Sequence, residues 1–201
     1  MIRHGQTDYN KRGVVQGSGV DAPLNELGLL QAQAFYERYK SIPFDWIYTS
    51  VLIRSIQSVQ KFIDDGISHV SFDGLNEINW GIYEGKIVNN DNNKYYEQVT
   101  EAWMRGEIDL QIDGGESPLL VQERQKPVLE HILAQKDEKT ILICMHGRAM
   151  RIFLCLMLGI NLKAMDSFAH DNLGLYLLDY GQSKFSVEVA NDRSHLAHLL
   201  V

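Results

Sequence analysis

Residues 141–145, ILICM, constrain this chain more than any other stretch: they are apolar without a break, and His146 and Gly147 follow at once. A strand with one wet face alternates apolar and polar residues. An unbroken apolar run of this length instead predicts a strand covered on both faces, as in a parallel sheet with helices on either side. The next segment, GRAMRIFLCLMLG, resumes helical spacing. Parallel neighbours need long crossovers, and the rest of the chain supplies them.

LNELGLLQAQAFYERYK reads as a helix with Asn25 as its N-cap. FDWIYTS reads as a short strand, after which Ser50 would cap one amphipathic helix, VLIRSIQSVQKFIDD, ended by Gly66. HVSFDGL predicts another strand, and NEINWGIYEGK an ordered loop. NNDNNKYYEQVTEAWMRGE predicts an exposed connection turning into helix. Ser117 and Pro118 open a further helix, in which Pro127 should produce a kink or a break. LGLYLLDYG and KFSVEVAND predict two strands joined by a tight turn at Gly181 and Gln182. The expected architecture is a three-layer α/β/α sandwich around a mainly parallel sheet, one domain over residues 1–201.

The 201 residues are 45% hydrophobic and 22% charged, enough for a sizeable core. The formal net charge of -7 gives no general attraction for nucleic acid or an anionic membrane, so clustered basic residues become informative. No apolar stretch approaches the roughly 18 residues of a membrane span, and a cytoplasmic location is expected. Cys144 and Cys155 sit within apolar runs and read as small buried hydrophobes. Neither a disulfide framework nor a zinc motif is suggested, and no metal or cofactor is expected.

Histidine precedes glycine twice, in RHGQT at residues 3–7 and in MHGRAMR at 145–151. In an open α/β sheet, ligands gather beyond the carboxyl ends of strands, where glycine lets backbone and helix N-termini approach an anion. Two imidazoles would then share one mouth. Arg3 precedes the first of them, and Arg54 falls in the first turn of a helix that starts at a strand end. Arginine's planar fork suits bidentate recognition of phosphate. A single His-Gly pair is more often structural than catalytic, and a single arginine more often a surface ion pair; the combination favours a phosphate site.

RHGQTDYN, QGSGVDAPLNELGLLQA, YTSVLIRSIQSV, LNEINWGIYEG, GGES, MHGRAMR and NDRSHL occur in the order and roughly the spacing found in branch 1 of the histidine phosphatase superfamily, the phosphoglycerate mutase-like proteins. The resemblance runs nearly the whole length. It implies that His4 is a nucleophile that becomes phosphohistidine, and that Arg3, Arg54 and His146 complete the phosphate pocket. Asn10, Gln16, Gly17 and the amide of Gly147 are implied as further substrate contacts. Glu77, the acid of L-x-E, is implied as proton donor, with Glu84 in YEG as the runner-up.

The chemistry is compatible with these roles. Phosphoryl transfer asks for a nucleophile, an in-line approach and positive donors around the equatorial oxygens. A neutral imidazole can attack near pH 7, and a departing alkoxide needs a proton from a carboxylic acid. His69, His131, His170, His195 and His198 are read as structural or solvent-facing. Trp80, Tyr83, Tyr95, Tyr96 and Trp103 are either a lid over the pocket or packing beneath a loop, and Tyr9 is a candidate for the rim. Arg148 and Arg151 either meet a second anionic group or face solvent.

The expected activity is hydrolysis of small-molecule phosphate monoesters. The stretch from Glu77 to His146 is short for a mutase, and GGES resembles the phosphatase relatives. Phosphoglycerate mutase-type transfer is the alternative, a non-catalytic phosphate-binding module the second, and a protein phosphohistidine phosphatase a further one. The C-terminal hairpin or a sheet edge is where a homodimer would form. Only Met1 and Ile2 precede Arg3, so the first strand is expected to be truncated, leaving unpaired ladder groups and an unfilled slot.

Overall fold

The computed structural model describes residues 1–87 and 93–199. The start of the NNDNN connection therefore lies outside the described residues. In chain order the elements are β1 (Ile2–Arg3), α1 (Asp8–Arg12), α2 (Glu26–Tyr39), β2 (Trp46–Thr49), α3 (Ile53–Gln57), α4 (Gln60–Asp64) and β3 (His69–Ser71). They continue as α5 (Asn93–Arg105), α6 (Pro118–Ala134), β4 (Ile141–Met145), α7 (Gly147–Leu158), β5 (Leu175–Gly181) and β6 (Lys184–Asp192), with short 3-10 turns between.

The six strands form one sheet in the order β3-β2-β4-β1-β5-β6. The first four run parallel, β5 is antiparallel to β1, and β6 is antiparallel to β5. ILICM is the parallel strand β4, as its composition predicts. Side chains alternate across the sheet: Ile2, Ile47, Leu142 and Cys144 pack with Phe35 of α2 and Phe62 of α4. Tyr48, Ile143 and Met145 pack into a larger cluster with Val121 and Val128 of α6 and Phe153 of α7. Two cores on opposite faces make the expected three layers.

Three local expectations change. Residues 51–65 are not one helix but two short ones, α3 and α4, separated at Ser58 and Val59. Ser58 Oγ bonds the carbonyl of Arg54 and accepts the amide of Gly5, so this turn serves the neighbouring strand end. Pro127 does not break α6, which runs 17 residues through it. Pro127 and Glu123, whose carbonyl loses its helical donor, are both exposed, so water can satisfy that oxygen, while buried Val121, Gln125, Val128 and Ile132 hold the helix down. The third strand is shorter than HVSFDGL, because Asp73–Leu75 turns into a 3-10 helix on α6.

β1 has only two residues yet occupies the interior of the sheet, pairing Ile2 with Cys144 and with Leu175. The buried Met1 ammonium donates to the Tyr176 carbonyl at 2.8 Å, and burial pushes it down to about 5. A cavity of about 900 Å³ lined by Met1, Ile141, Ile143, Tyr176 and Leu178 continues from there. β1 and β4 are parallel neighbours, so their carboxyl ends deliver His4 and His146 to the same edge.

Candidate active site

The His4 and His146 rings lie with centroids 5.1 Å apart, and both are buried. His4 Nδ1 is 2.7 Å from the Gly5 carbonyl, which can only accept, so Nδ1 carries the hydrogen and the Nε2 lone pair is free. Burial, followed by the charges of Arg54 and Arg3, holds His4 well below the usual histidine range. The side chain is thus a neutral imidazole at neutral pH. The amide of Gly5 donates to Ser58 Oγ at 2.9 Å and Asn172 Nδ2 donates to the His4 carbonyl at 2.9 Å, fixing the strand end on both sides.

His146 immediately precedes α7 and has a determined tautomer as well. Arg54 Nε–H donates to its Nδ1 at 3.2 Å, so the hydrogen is on Nε2, which donates to Ser50 Oγ at 2.7 Å. Burial first, and Arg54 next, hold His146 well below its usual range. Ser50 does not cap a helix as expected; Leu52 precedes α3 without a side-chain cap, and the Ser50 hydroxyl is used to orient this imidazole.

Arg54 has no exposed surface. Its Nη1 donates to the Val20 carbonyl at 2.7 Å and its Nη2 to the Gly17 carbonyl at 3.1 Å. Burial pulls it down to about 10, leaving it cationic at neutral pH. Gly17 accordingly contributes a carbonyl that holds Arg54. Arg3 Nη1 donates to the His170 carbonyl at 2.8 Å and to His170 Nδ1 at 3.3 Å. His170 is a partly buried loop residue with a structural role: it packs on Arg3 and beside Gly147, and burial plus Arg3 lower it to about 4.

Donors are left over. Arg3 Nε and Gln16 Nε2 are buried without an acceptor among the described residues, although Gln16 Oε1 receives the Thr7 hydroxyl at 2.7 Å. Asn10 Oδ1 receives Thr7 N at 3.2 Å and Asn172 Nδ2 at 3.3 Å, which turns its own amide nitrogen outward from both. Gly147 opens α7, where helix N–H groups lack intrahelical acceptors. Buried donors without acceptors are costly, and their concentration beside two arginines and a helix N-terminus suits an oxyanion.

The Glu77 carboxyl is buried at the start of α7. Oε1 accepts the amides of Ile78 at 2.9 Å and Ala149 at 2.8 Å, and Oε2 accepts that of Arg148 at 3.1 Å. With two lone pairs per oxygen, Oε1 is filled and Oε2 retains one open lone pair among the described residues. Glu77 also offsets part of the burial effect on both Arg3 and Arg54, which groups it with them in one charge cluster. Glu84 is placed differently. Its carboxylate accepts Gly17 N at 3.0 Å, Gly19 N at 3.5 Å and Trp80 N at 3.0 Å, binding two loops together.

Trp80, Tyr83 and Trp103 are buried and join the main core, with Tyr96 5.2 Å from Trp80 and 5.5 Å from Tyr83. Packing, rather than a lid, describes them. The Arg148 guanidinium lies over Trp80 and Trp103, and Arg148 and Arg151 share Asp166 Oδ1 at 2.6 and 2.7 Å. Neither is a free solvent-facing arginine. Among the other histidines, His195 is buried against Phe35 and Tyr39, His131 packs on Phe72, and His69 bonds Thr49 from within β3. The sequence reading did not anticipate Ser50, Ser58, Asn172 or His170 as supports of the site.

The family model for branch 1 of the histidine phosphatase superfamily matches residues 1–193. Phosphoserine phosphatase 1 of Hydrogenobacter thermophilus is 26% identical over all of this chain and 95% of its own length. The Proteus mirabilis protein named "Probable phosphoglycerate mutase GpmB" is 30% identical, covering 99% of this chain and 94% of that one. Among solved structures, phosphoserine phosphatase from Entamoeba histolytica in complex with 3-phosphoglyceric acid superimposes with a TM-score of 0.82. It is 25% identical, with 97% of this chain and 96% of that one covered. No helix among the described residues is long and apolar enough to cross a membrane. The chain belongs to branch 1 of the histidine phosphatase superfamily.

Proposed function

We propose that this protein hydrolyses small-molecule phosphate monoesters through a phosphohistidine on His4 Nε2, with Glu77 as general acid and then general base. The observation that carries the reading is the neutral Nε2 lone pair of His4 beside buried donors that lack acceptors, Arg3 Nε and Gln16 Nε2.

A bound phosphoryl group takes those donors, with Arg54, Asn10 and the Gly147 amide completing its surroundings. Nε2 attacks phosphorus in line, the P–O bond to the alcohol breaks, and the departing oxygen takes a proton from Glu77 Oε2, delivered there from the phosphate monoanion as the substrate binds. Arg3 and Arg54 stabilise the charge on the equatorial oxygens, and the ring, now substituted at Nε2 with Nδ1–H on the Gly5 carbonyl, is cationic. In the second half, the Glu77 carboxylate removes a proton from water, the water oxygen attacks phosphorus, and the P–N bond breaks. Phosphate leaves, His4 is neutral again and Glu77 is protonated.

The named activities of the phosphoserine phosphatases support hydrolysis, and the likeness to GpmB supports transfer between hydroxyls as a second reading. Turnover of a monoester panel by the wild-type chain, with quenched samples assayed for alkali-stable protein-bound phosphate, tests the mechanism. His4→Ala should abolish both signals. Turnover that persists in His4→Ala refutes the phosphohistidine route, and conversion of 3-phosphoglycerate to an isomer without released phosphate favours transfer.

A further inference from the structure

One guanidinium outside the phosphate pocket binds the loop that carries Glu77. Arg124, on α6, donates from Nη1 to the carbonyls of Gly74 at 2.8 Å and Asp73 at 3.4 Å, and from Nη2 to the carbonyl of Glu77 at 3.0 Å. Its Nε donates to Glu116 Oε1 at 2.8 Å and its Nη2 to Glu116 Oε2 at 3.1 Å. All five N–H groups are engaged.

Glu116 comes from the GGES segment just before α6 and reaches the same loop itself. Its Oε2 accepts the amide of Asn79 at 2.9 Å, and its own amide donates to the Asn79 carbonyl at 2.9 Å. The loop also lies directly on the helix backbone, since a Cβ added at Gly74 would come 2.5 Å from the Arg124 carbonyl. Residue 77 is therefore fixed at both ends: its main chain by α6 through this ion pair, and its carboxyl by the first amides of α7.

We infer that Arg124 and Glu116 are the positioning pair for the proton donor, setting where Glu77 Oε2 meets the departing oxygen without touching substrate themselves. The inference rests on the acid role proposed for Glu77. Lysine cannot replace Arg124 here, because its three hydrogens radiate from one nitrogen whereas five acceptors are arrayed around a planar fork. A displacement of the acid of about 1 Å costs proton transfer much more than it costs phosphate binding, which uses Arg3, Arg54 and Gln16.

Leaving-group dependence separates this role from general support of the fold. An alkyl monoester such as glycerol 3-phosphate needs its departing oxygen protonated, whereas p-nitrophenyl phosphate releases a stable anion. Using kcat/KM, which reports formation of the phosphoenzyme, Arg124→Lys and Glu116→Gln should lose about 10- to 100-fold on the alkyl ester. The loss on the aryl ester should stay under about 3-fold, with competitive inhibition by inorganic phosphate unchanged. Glu77→Gln should show the same selectivity more strongly. If Glu77→Gln is selective but both pair variants lose the two esters equally, or lose neither, the positioning role is overturned and the acid assignment stands. If Glu77→Gln itself is unselective, the acid assignment fails. Two conservative variants on different segments keep the test decisive should one of them fold poorly.

Discussion

Removing a single buried oxygen at Ser50 should damage both the fold and the site. Ser50 Oγ accepts the His146 Nε2–H at 2.7 Å and the Leu52 amide at 3.1 Å, and lies 2.7 Å from Ser55 Oγ. Ser55 keeps the carbonyls of Ser50 and Leu52, so it tolerates the loss. His146 and Leu52 do not, being almost entirely buried. An orphaned buried donor costs about 1–3 kcal/mol, so Ser50→Ala, which orphans two, should lose roughly 2–6 kcal/mol in all, against the 5–15 kcal/mol that holds a typical domain together. His146 cannot escape by moving its proton to Nδ1, because that nitrogen already accepts from Arg54 Nε. Urea unfolding measures the stability term. Ser50→Thr, which keeps the oxygen, should recover most of it, and kcat/KM should fall with Ser50→Ala as His146, the acceptor of Arg54 Nε–H, loses its support. Nitrogen-15 chemical shifts of His146 supply an independent check, with the wild type carrying its proton on Nε2. A destabilisation below about 0.5 kcal/mol, or a proton found on Nδ1, would refute the argument.

The folded-state histidines give stability a defined pH dependence. His4 and His146 lie well below, and His170 at about 4, the unfolded value near 6.5, so below that pH the unfolded chain binds more protons than the folded one. The histidine contribution is nearly complete about one unit above pH 6.5 and is lost as pH falls toward the folded values, by up to about 1.4 kcal/mol per pH unit for each histidine. The Met1 amine, pushed down from 8.0 to about 5, adds a loss of the same sign between those values. Denaturant unfolding at pH 7.5, 6.5 and 5.5 measures the slope; His170→Gln should remove about one proton from it, and a flat profile contradicts the assignment. Gly17→Ala should be severe, because a Cβ there overlaps the Ile78 carbonyl and the Glu84 carboxylate while the Gly17 carbonyl holds Arg54. Its expected signature is a weakened phosphate inhibition constant together with lowered melting temperature, and wild-type values for both would dismiss the close approach.

The layers and the ends of β1 and β4 were legible because they depend on short-range pattern: an unbroken apolar run, a helix period, glycine after histidine. The support of the site was not legible, for a physical reason. Ser50, Asn172 and His170 act through hydrogen bonds to residues far away in the chain, and their residue types are common in loops that do nothing. Ser50 reads as a helix cap because serine before an amphipathic stretch usually is one. Arg124 sits on an ordinary amphipathic helix, and nothing local distinguishes it from a solvated arginine. Pro127 misled in the opposite direction, since a local rule was outweighed by burial of the other face of α6.

The position of β1 in the sheet has a consequence for the order in which the molecule is made. The strand that leads into His4 is translated before either of its neighbours, yet its ladder partners among the described residues are Cys144 and Met145 on one side and Leu175 on the other. Closing a contact over some 140 residues costs chain entropy on the order of 4 kcal/mol, with two residue pairs of parallel ladder to offset it. During synthesis the strand that leads into His4 therefore waits for its β4 partner while the segments bearing Arg54 and Glu77 emerge. His4 and His146 come together only after β4 has been added, so assembly of this site is a late, long-range event in folding.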